Sequence, residues 1–229
     1  MGETAMRKSR ILACLTAPAP LALGVAVALS SAAQAETFVP REGCSHVVTI
    51  QSQGCTVRNV VTCPKMGDGP LVYTTGKDGK VVATAFDADG ATMFTGPQDA
   101  GMLLKDRTDL FSLATLTAQG TDSYDYTMTG HDGAEIRFAG TATLTGETVD
   151  IDGRNLLVIT TRQAVTPPGS VPVESEISAY LDQELALVLT AEARDLATGA
   201  VMFQRAPVDY LFPGEDGALA TEPLIGCEG

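Results

Sequence analysis

The sequence predicts a mainly β protein: an antiparallel meander that curls into a barrel or half-barrel and carries one short helix. Asp-Gly occurs six times, mostly between runs rich in Val, Thr, Ile and aromatic residues. This pairing is typical of tight hairpin turns because glycine tolerates a positive φ. Runs at such short spacing favour neighbouring antiparallel strands. A sheet of ten or so strands cannot stay open and flat, so it must curl or fold over.

The first 35 residues have the layout of a secretory signal peptide. A basic region at residues 7–10 precedes residues 11–29, which carry no charge, and the small-x-small tripeptide Ala33-Gln34-Ala35 follows. Small side chains at these positions fit the signal peptidase, so we expect cleavage between Ala35 and Glu36. The alternative is an uncleaved membrane anchor, which two prolines within the apolar run disfavour.

Export would leave a single β-rich domain, residues 36–229, with a strongly acidic composition. The whole chain has 15 Lys and Arg against 28 Asp and Glu, a formal net charge of −13. Loss of residues 1–35 leaves 12 basic against 27 acidic residues and a net charge of −15. A phosphate backbone must meet a cationic surface, so nucleic acid is excluded as a partner. No second long apolar run follows, so no transmembrane segment is expected after signal removal.

Four cysteines remain after export, and an even number in an exported chain predicts two disulfides. Two β-like runs, 45–52 and 55–62, are joined at Gln53-Gly54, and a two-residue loop there would pair Ser52 with Cys55. In that register the cysteines that flank the hairpin face each other, close enough for a bridge. A shift of one residue would remove this argument. The expected disulfides are Cys44–Cys63 and Cys55–Cys227.

A zinc site is the alternative for these cysteines, with Cys44, His46, Cys55 and Cys63 as ligands. Their spacing, C-x-H-x8-C-x7-C, matches none of the usual paired-ligand patterns, and an oxidising compartment favours disulfides. The sequence also lacks phosphate loops, Cys-x-x-Cys and dinucleotide fingerprints. We therefore expect no metal and no cofactor.

The mature chain is expected to contain one helix and twelve strands. The helix covers residues 108–119, where apolar residues cluster, Thr108 can cap the start and Gly120 can end it. Its apolar face would lie on the sheet, and it could plug the concave side. The expected strands are 46–52, 55–62, 70–75, 80–86, 91–95, 123–130, 134–143, 147–151, 154–165, 173–181, 185–193 and 200–211.

Candidate catalytic groups are few, and the sequence favours a protein that is not an enzyme. His46 follows Ser45, but adjacent strand residues point to opposite faces, so the two cannot form a Ser–His pair. His131 lies in a predicted hairpin tip, and the sequence has no Gly-x-Ser-x-Gly elbow. We therefore assign no catalytic residue, and a hydrolase is the least favoured hypothesis.

Three pairs of acidic residues stand two positions apart, so both members would share one strand face. This spacing fits the acid and base of a glycosidase, and the two Asp pairs also resemble fragments of calcium loops. However, each Asp pair is followed by glycine, where Asp ordinarily serves a turn. Turn and surface roles are therefore favoured. The pairs are Asp87/Asp89, Asp150/Asp152 and Glu174/Glu176.

Two apolar stripes could line a ligand cavity in a curled sheet, although an ordinary core is the alternative. Two main hypotheses follow. In the first, the chain is an exported protein that binds an apolar ligand or a lipid-bearing partner in the cell envelope. In the second, it is a structural or interaction module of the envelope that has no cavity but has an exposed apolar patch. The stripes are Tyr124, Tyr126 and Met128 on one strand, and Leu185, Leu187 and Leu189 on another.

Several motifs carry a resemblance: Gly43-Cys44, Gly54-Cys55, Cys63, 144–153, 206–217 and Gly226-Cys227. In these motifs the chain resembles a group of exported, β-rich periplasmic proteins of Gram-negative bacteria, a group to which no activity is assigned. Around residues 146–149 and 180–192 it is also similar in architecture to periplasmic lipoprotein carriers. That resemblance implies a half-barrel that holds acyl chains, and it implies no particular site residues.

Overall fold

The computed structural model describes residues 37–97 and 100–227, which form thirteen strands and one helix. The predicted signal peptide, residues 1–35, and its cleavage site at Ala35 and Glu36 lie outside the described residues. The elements, in chain order, are β1 Ser45–Ser52, β2 Thr56–Thr62, β3 Pro70–Gly76, β4 Val81–Phe86, β5 Thr92–Gly96, β6 Met102–Leu104, α1 Leu113–Gln119, β7 Thr121–Gly130, β8 Glu135–Ile151, β9 Arg154–Thr166, β10 Val173–Asp182, β11 Leu187–Asp195, β12 Val201–Gln204 and β13 Pro207–Leu211.

All thirteen strands belong to one antiparallel sheet. Each strand from β1 to β12 pairs with the next, and β13 returns to pair with β1, so β12 and β13 are the two edges of an open ladder. Only Arg205 and Ala206 separate these two strands in the chain, which holds the edges within roughly 11 Å of each other. The sheet therefore curls until its edges lie close together at this crossing without closing, and the predicted half-barrel-like meander is confirmed.

The interior of the curl is partly filled by apolar side chains from its opposite walls. Val48 and Ile50 of β1 and Val72 of β3 pack with Leu156 of β9 and Leu189 of β11. All five are buried, and each such burial stabilises the fold by about 1.5–3 kcal/mol. This core forms because inward-facing residues alternate with outward-facing ones along each strand.

The helix is shorter than predicted: it covers Leu113–Gln119 rather than 108–119. Ser112, not Thr108, is the N-cap, and its hydroxyl accepts a hydrogen bond from the Thr115 N–H. Thr108 instead donates its N–H to the Asp106 carboxylate, and Asp109 bridges to β7. These local and cross-strand bonds compete with helix formation before residue 112.

The helix lies on the cavity side of the sheet, as predicted. Leu113 and Leu116 pack against Ile159, Ala179 and Leu181 of β9 and β10. Gly120 ends the helix in a left-handed conformation, at φ 76°, which glycine adopts without the steric penalty of a Cβ. The helix therefore covers one part of the concave face.

Three predicted strands differ from the observed ones. The predicted segments 134–143 and 147–151 are one strand, β8, because an irregularity between Leu144 and Thr148 keeps both halves paired with β9. The predicted strand 200–211 divides at Arg205-Ala206, where the chain crosses from one sheet edge to the other. The three-residue strand β6 was not predicted, since so short a segment carries little periodicity.

The two predicted disulfides form at the β1–β2 hairpin, but its register differs from the predicted one. Ser52 pairs with Thr56 rather than Cys55, so the loop has three residues instead of two. A bulge between His46 and Val48 absorbs the extra residue and restores the pairing of Ser45 with Thr62. The structure joins Cys44 to Cys63 just beyond this pair, and Cys55 to Cys227.

The C-terminal tail lies on the outer face of this hairpin. Its backbone binds three buried polar side chains: Leu219 N–H donates to Thr49 Oγ1 at 2.8 Å, Leu224 N–H donates to Gln51 Oε1 at 2.9 Å, and Asn59 Nδ2 donates to the Ala220 carbonyl at 2.8 Å. The Cys55–Cys227 disulfide fastens the end of the tail. Two disulfides are consistent with an exported protein. In the part of the chain that the structure describes, no helix is long and apolar enough to span a membrane.

Candidate ligand-binding cavity

A cavity of about 360 Å³ lies inside the curl of the sheet. Strands β2 to β5 supply one wall, and β7 and β9 to β12 supply the other. The lining combines aliphatic and aromatic side chains with threonines, Gln163 and two arginines. Its volume falls within the range of small-molecule sites, about 300–1,000 Å³.

Both predicted apolar stripes contribute to this cavity. Tyr124 and Tyr126 of β7 line it, as do Leu187 and Leu189 of β11. Two stripe residues do not: Met128 is buried in the core, and Leu185 packs against the core cluster of β1 to β3. Four of the six stripe residues therefore line one cavity, although their strands are far apart in the sequence.

The wall near the helix is aromatic. The rings of Phe111 and Tyr124 meet edge to face, with their centroids 6.2 Å apart. The ring centroids of Tyr124 and Tyr126 are 5.8 Å apart. A Cβ at Gly140 would lie only 2.7 Å from the Tyr124 hydroxyl, so glycine makes room for this ring. Burial raises the pKa of Tyr126 to about 12 and also raises the pKa of Tyr124. Both hydroxyls are therefore neutral at pH 7.

Two arginines line the same cavity. Arg58 of β2 is only 7 % exposed, and its guanidinium donates to the carbonyls of Thr190 and Arg205 and to the Ser52 hydroxyl. The Arg205 guanidinium is exposed and lies 4.8 Å from the centre of the Phe203 ring. Sequence reasoning missed both residues. A signal existed, because Arg58 is a lone charge on the same strand face as Val60.

No family model, curated protein or solved structure matches this chain. The resemblance to exported proteins of Gram-negative bacteria therefore stays a prediction.

A second, outer groove of about 510 Å³ lies on the opposite face of β3 to β6. Its lining is mainly apolar and includes Leu71, Tyr73 and Phe94, with Arg41 and Arg107 also present. Leu71 and Tyr73 form the buried floor of this groove, whereas Met66 and Leu103 are exposed, at 58 % and 62 %. An exposed apolar surface of this kind is typical of interaction sites.

The histidines and cysteines that the sequence offered as catalytic or zinc-binding residues are held in hydrogen bonds, turns and disulfides. His46 Nε2 lies 2.9 Å from Thr49 Oγ1 rather than beside Ser45, and burial lowers the pKa of His46. His131 is exposed in the β7–β8 turn. The three cysteines of the alternative zinc site, Cys44, Cys55 and Cys63, are all bonded in disulfides, Cys55 with Cys227. They are therefore not thiolate ligands.

The predicted acidic pairs are separate turn and surface features. Asp87 Oδ1 accepts from the N–H groups of Asp89 and Ala91, and Asp89 Oδ1 accepts from Ala114 N–H at the start of the helix. Glu174 is exposed, and Glu176 lies 3.6 Å from Arg162. None of these carboxylates lines the interior cavity.

Asp152 belongs to a different pair from the one predicted. Its Oδ2 accepts from Tyr210 N–H at 3.0 Å, which places it beside Asp209 of β13 rather than with the exposed Asp150. Burial, followed by repulsion from Asp152, raises the pKa of Asp209. The turn after β8 thus crosses to β13 and brings two carboxylates together.

We expect Asp209→Asn to stabilise the protein at pH 7 and to have much less effect below pH 4. A carboxyl whose folded-state pKa is raised stabilises the fold while protonated, and this contribution disappears as pH rises through that pKa. Urea unfolding of wild type and variant from pH 3 to pH 8 measures the difference. Asp150→Asn is the control, because Asp150 is exposed on the same hairpin. A gain from Asp209→Asn that is equal at all pH values would contradict the argument.

Proposed function

We propose that this chain is an exported protein that binds a small apolar or amphipathic ligand inside its curled sheet. The cavity is the observation that supports the proposal, because its lining includes five aromatic rings and the aliphatic side chains of Val72, Ile177, Leu187, Val188 and Leu189. A water molecule occupies about 30 Å³ of liquid. A cavity of about 360 Å³ therefore corresponds to a ligand of about a dozen non-hydrogen atoms.

The cell envelope is the proposed location. Two disulfides persist in oxidising compartments such as the periplasm, and the N-terminal sequence has the layout of a cleaved signal peptide. A ligand with apolar surface has low solubility in water. A protein in this compartment that shields such a ligand would keep it dispersed between membranes.

The proposal predicts that the exported protein binds 1-octanol and that Thr161→Phe weakens binding about tenfold. Thr161 of β9 lines the cavity, so a phenyl ring there displaces roughly two methylene groups of ligand, each worth about 0.8 kcal/mol. Isothermal titration calorimetry at pH 7 measures the affinity.

Thr160→Phe is the matched control for this experiment. Thr160 is the neighbouring residue on β9, is half-buried to the same degree, and points to the opposite face of the strand. Its substitution should leave octanol binding unchanged. Failure of the wild type to bind either octanol or its carboxylate analogue octanoate, or equal effects of the two variants, would contradict the proposal.

The outer groove favours the second candidate, an interaction module of the envelope. Its exposed apolar residues fit a protein surface as well as a small molecule. Native mass spectrometry of protein purified from its own periplasm separates the two functions. A small-molecule adduct supports the cavity proposal, and a stoichiometric protein partner without such an adduct supports the interaction module.

A further inference from the structure

The interior cavity contains a buried positive charge that has no carboxylate partner. Three hydrogen bonds of the Arg58 guanidinium go to two carbonyls and one hydroxyl, all neutral acceptors, at 3.1–3.2 Å. No Asp or Glu among the described residues forms an ion pair with Arg58. A guanidinium carries five N–H donors, and three of those of Arg58 are used. Two donors of Arg58 therefore have no acceptor among the described residues.

A second positive charge lies at the same place. Arg58 donates to the backbone carbonyl of Arg205, and both side chains line the cavity. Burial, with a further contribution from Arg205, lowers the pKa of Arg58 to about 10. Arg58 is still charged at pH 7, and the shift reflects a site that lacks compensating negative charge.

The charge of the cavity lining is therefore opposite in sign to the net charge of the molecule. The chain carries a net charge of −13, yet none of the described residues that line the cavity is Asp or Glu. Burial of an unpaired charge is strongly unfavourable unless another group compensates it. A bound anion would supply that compensation and would accept the free donors of Arg58.

We infer that the ligand is an anionic amphiphile with one short acyl or alkyl chain, whose carboxylate or phosphate head is held by Arg58 and Arg205. This inference rests on the proposed function, because it assigns the head group of the ligand in the same cavity. The chain of the ligand lies along the aliphatic wall that includes Leu187 and Leu189. Arginine suits the head group, since its planar donors match both carboxylate and phosphate oxygens.

The test compares three probes with the same chain length and different heads: octanoate, 1-octanol and octylammonium. Isothermal titration calorimetry of the exported wild-type protein at pH 7 should show octanoate binding about tenfold more tightly than octanol, as expected for a charge-assisted hydrogen bond. Octylammonium should bind most weakly. Octanol binding equal to or tighter than octanoate binding would overturn the inference.

Two variants assign the head-group site. Arg58→Gln should reduce the affinity for octanoate about tenfold, and Arg205→Gln about threefold, without weakening octanol binding. Arg205 is exposed, so Arg205→Gln is expected to keep the fold. If Arg58→Gln does not fold, Arg205→Gln alone provides the test. Arg194→Gln is the control, because Arg194 pairs with Glu192 and does not line the cavity.

The results distinguish failure of this inference from failure of the proposed function. If wild type binds neither octanol nor octanoate, both fail. If octanol binds as tightly as octanoate, the cavity remains the ligand site and only the anionic head is wrong. If Arg205→Gln weakens both probes equally, or neither, the assignment of the head to the two arginines is wrong.

Discussion

Removal of the Cys55–Cys227 disulfide is expected to lower the free energy of unfolding by about 4–5 kcal/mol. The two cysteines are 172 residues apart, and a cross-link that closes so long a loop strongly restricts the unfolded chain. The bond also holds the tail against the buried side chains of Thr49, Gln51 and Asn59. Release of the tail would remove these three hydrogen bonds, each worth about 0.5–1.5 kcal/mol.

Urea unfolding of the Cys55→Ala/Cys227→Ala double variant, purified with its other disulfide intact, measures this loss. The matched control is Cys44→Ala/Cys63→Ala, whose cysteines are 19 residues apart, for which about 3 kcal/mol is expected. The prediction is wrong if the control pair loses as much stability as the long-range pair. Limited proteolysis provides a second measurement, since residues 212–227 should be cleaved first when the tail is released.

Asp182→Ala is expected to destabilise the protein by about 3–5 kcal/mol, because it leaves the largely buried guanidinium of Arg154 with only the exposed carboxylate of Glu184 beside it. The Asp182 side chain is 2 % exposed and that of Arg154 is 14 % exposed. The two form a bidentate pair, with Nε to Oδ2 at 2.6 Å and Nη2 to Oδ1 at 2.7 Å. The guanidinium also lies 5.4 Å from the Tyr210 ring centre and 5.6 Å from that of Phe212.

This pair joins β9 to β10, and its guanidinium lies against Tyr210 of β13 and Phe212, so its loss loosens the contact between β9, β10 and β13. Thermal unfolding followed by circular dichroism measures the effect. Glu184→Ala is the matched control: Glu184 contacts the same arginine at 3.0 Å, but its side chain is 82 % exposed, so little change is expected. Arg154→Ala/Asp182→Ala should lose less than the two single variants together, because no unpaired charge remains. A strictly additive double variant would contradict the explanation.

The interior cavity shows how far alternation in the sequence can locate a site. The inward direction of Tyr124, Tyr126, Leu187 and Leu189 was predictable, since it follows from the period of two along single strands. Their meeting in one cavity was not, because it depends on the curl that brings β7 and β11 to the same interior. Arg58 shares a strand face with Val60, which indicated its inward direction, but its place beside Arg205 and the β11 wall depends on the same curl.

The β1–β2 hairpin shows that a correct pairing can follow from an incorrect local geometry. The two-residue loop was wrong, yet Cys44 lies opposite Cys63 because a bulge offsets the longer loop. A bulge depends on how the strand fits its neighbours, and here β1 pairs with β13 as well as β2. Sequence patterns within one hairpin do not contain that information.

By itself, the sequence determined the mainly β class, the order of the strands as a meander and the positions of most turns, because turn chemistry and side-chain alternation act over a few residues. The tertiary structure decided where the two sheet edges approach each other, which strand faces enclose the cavity, and that Arg58 and Asp182 are buried. Those features depend on contacts between residues distant in the chain. Their energies come from desolvation and packing, which exist only once the sheet has curled.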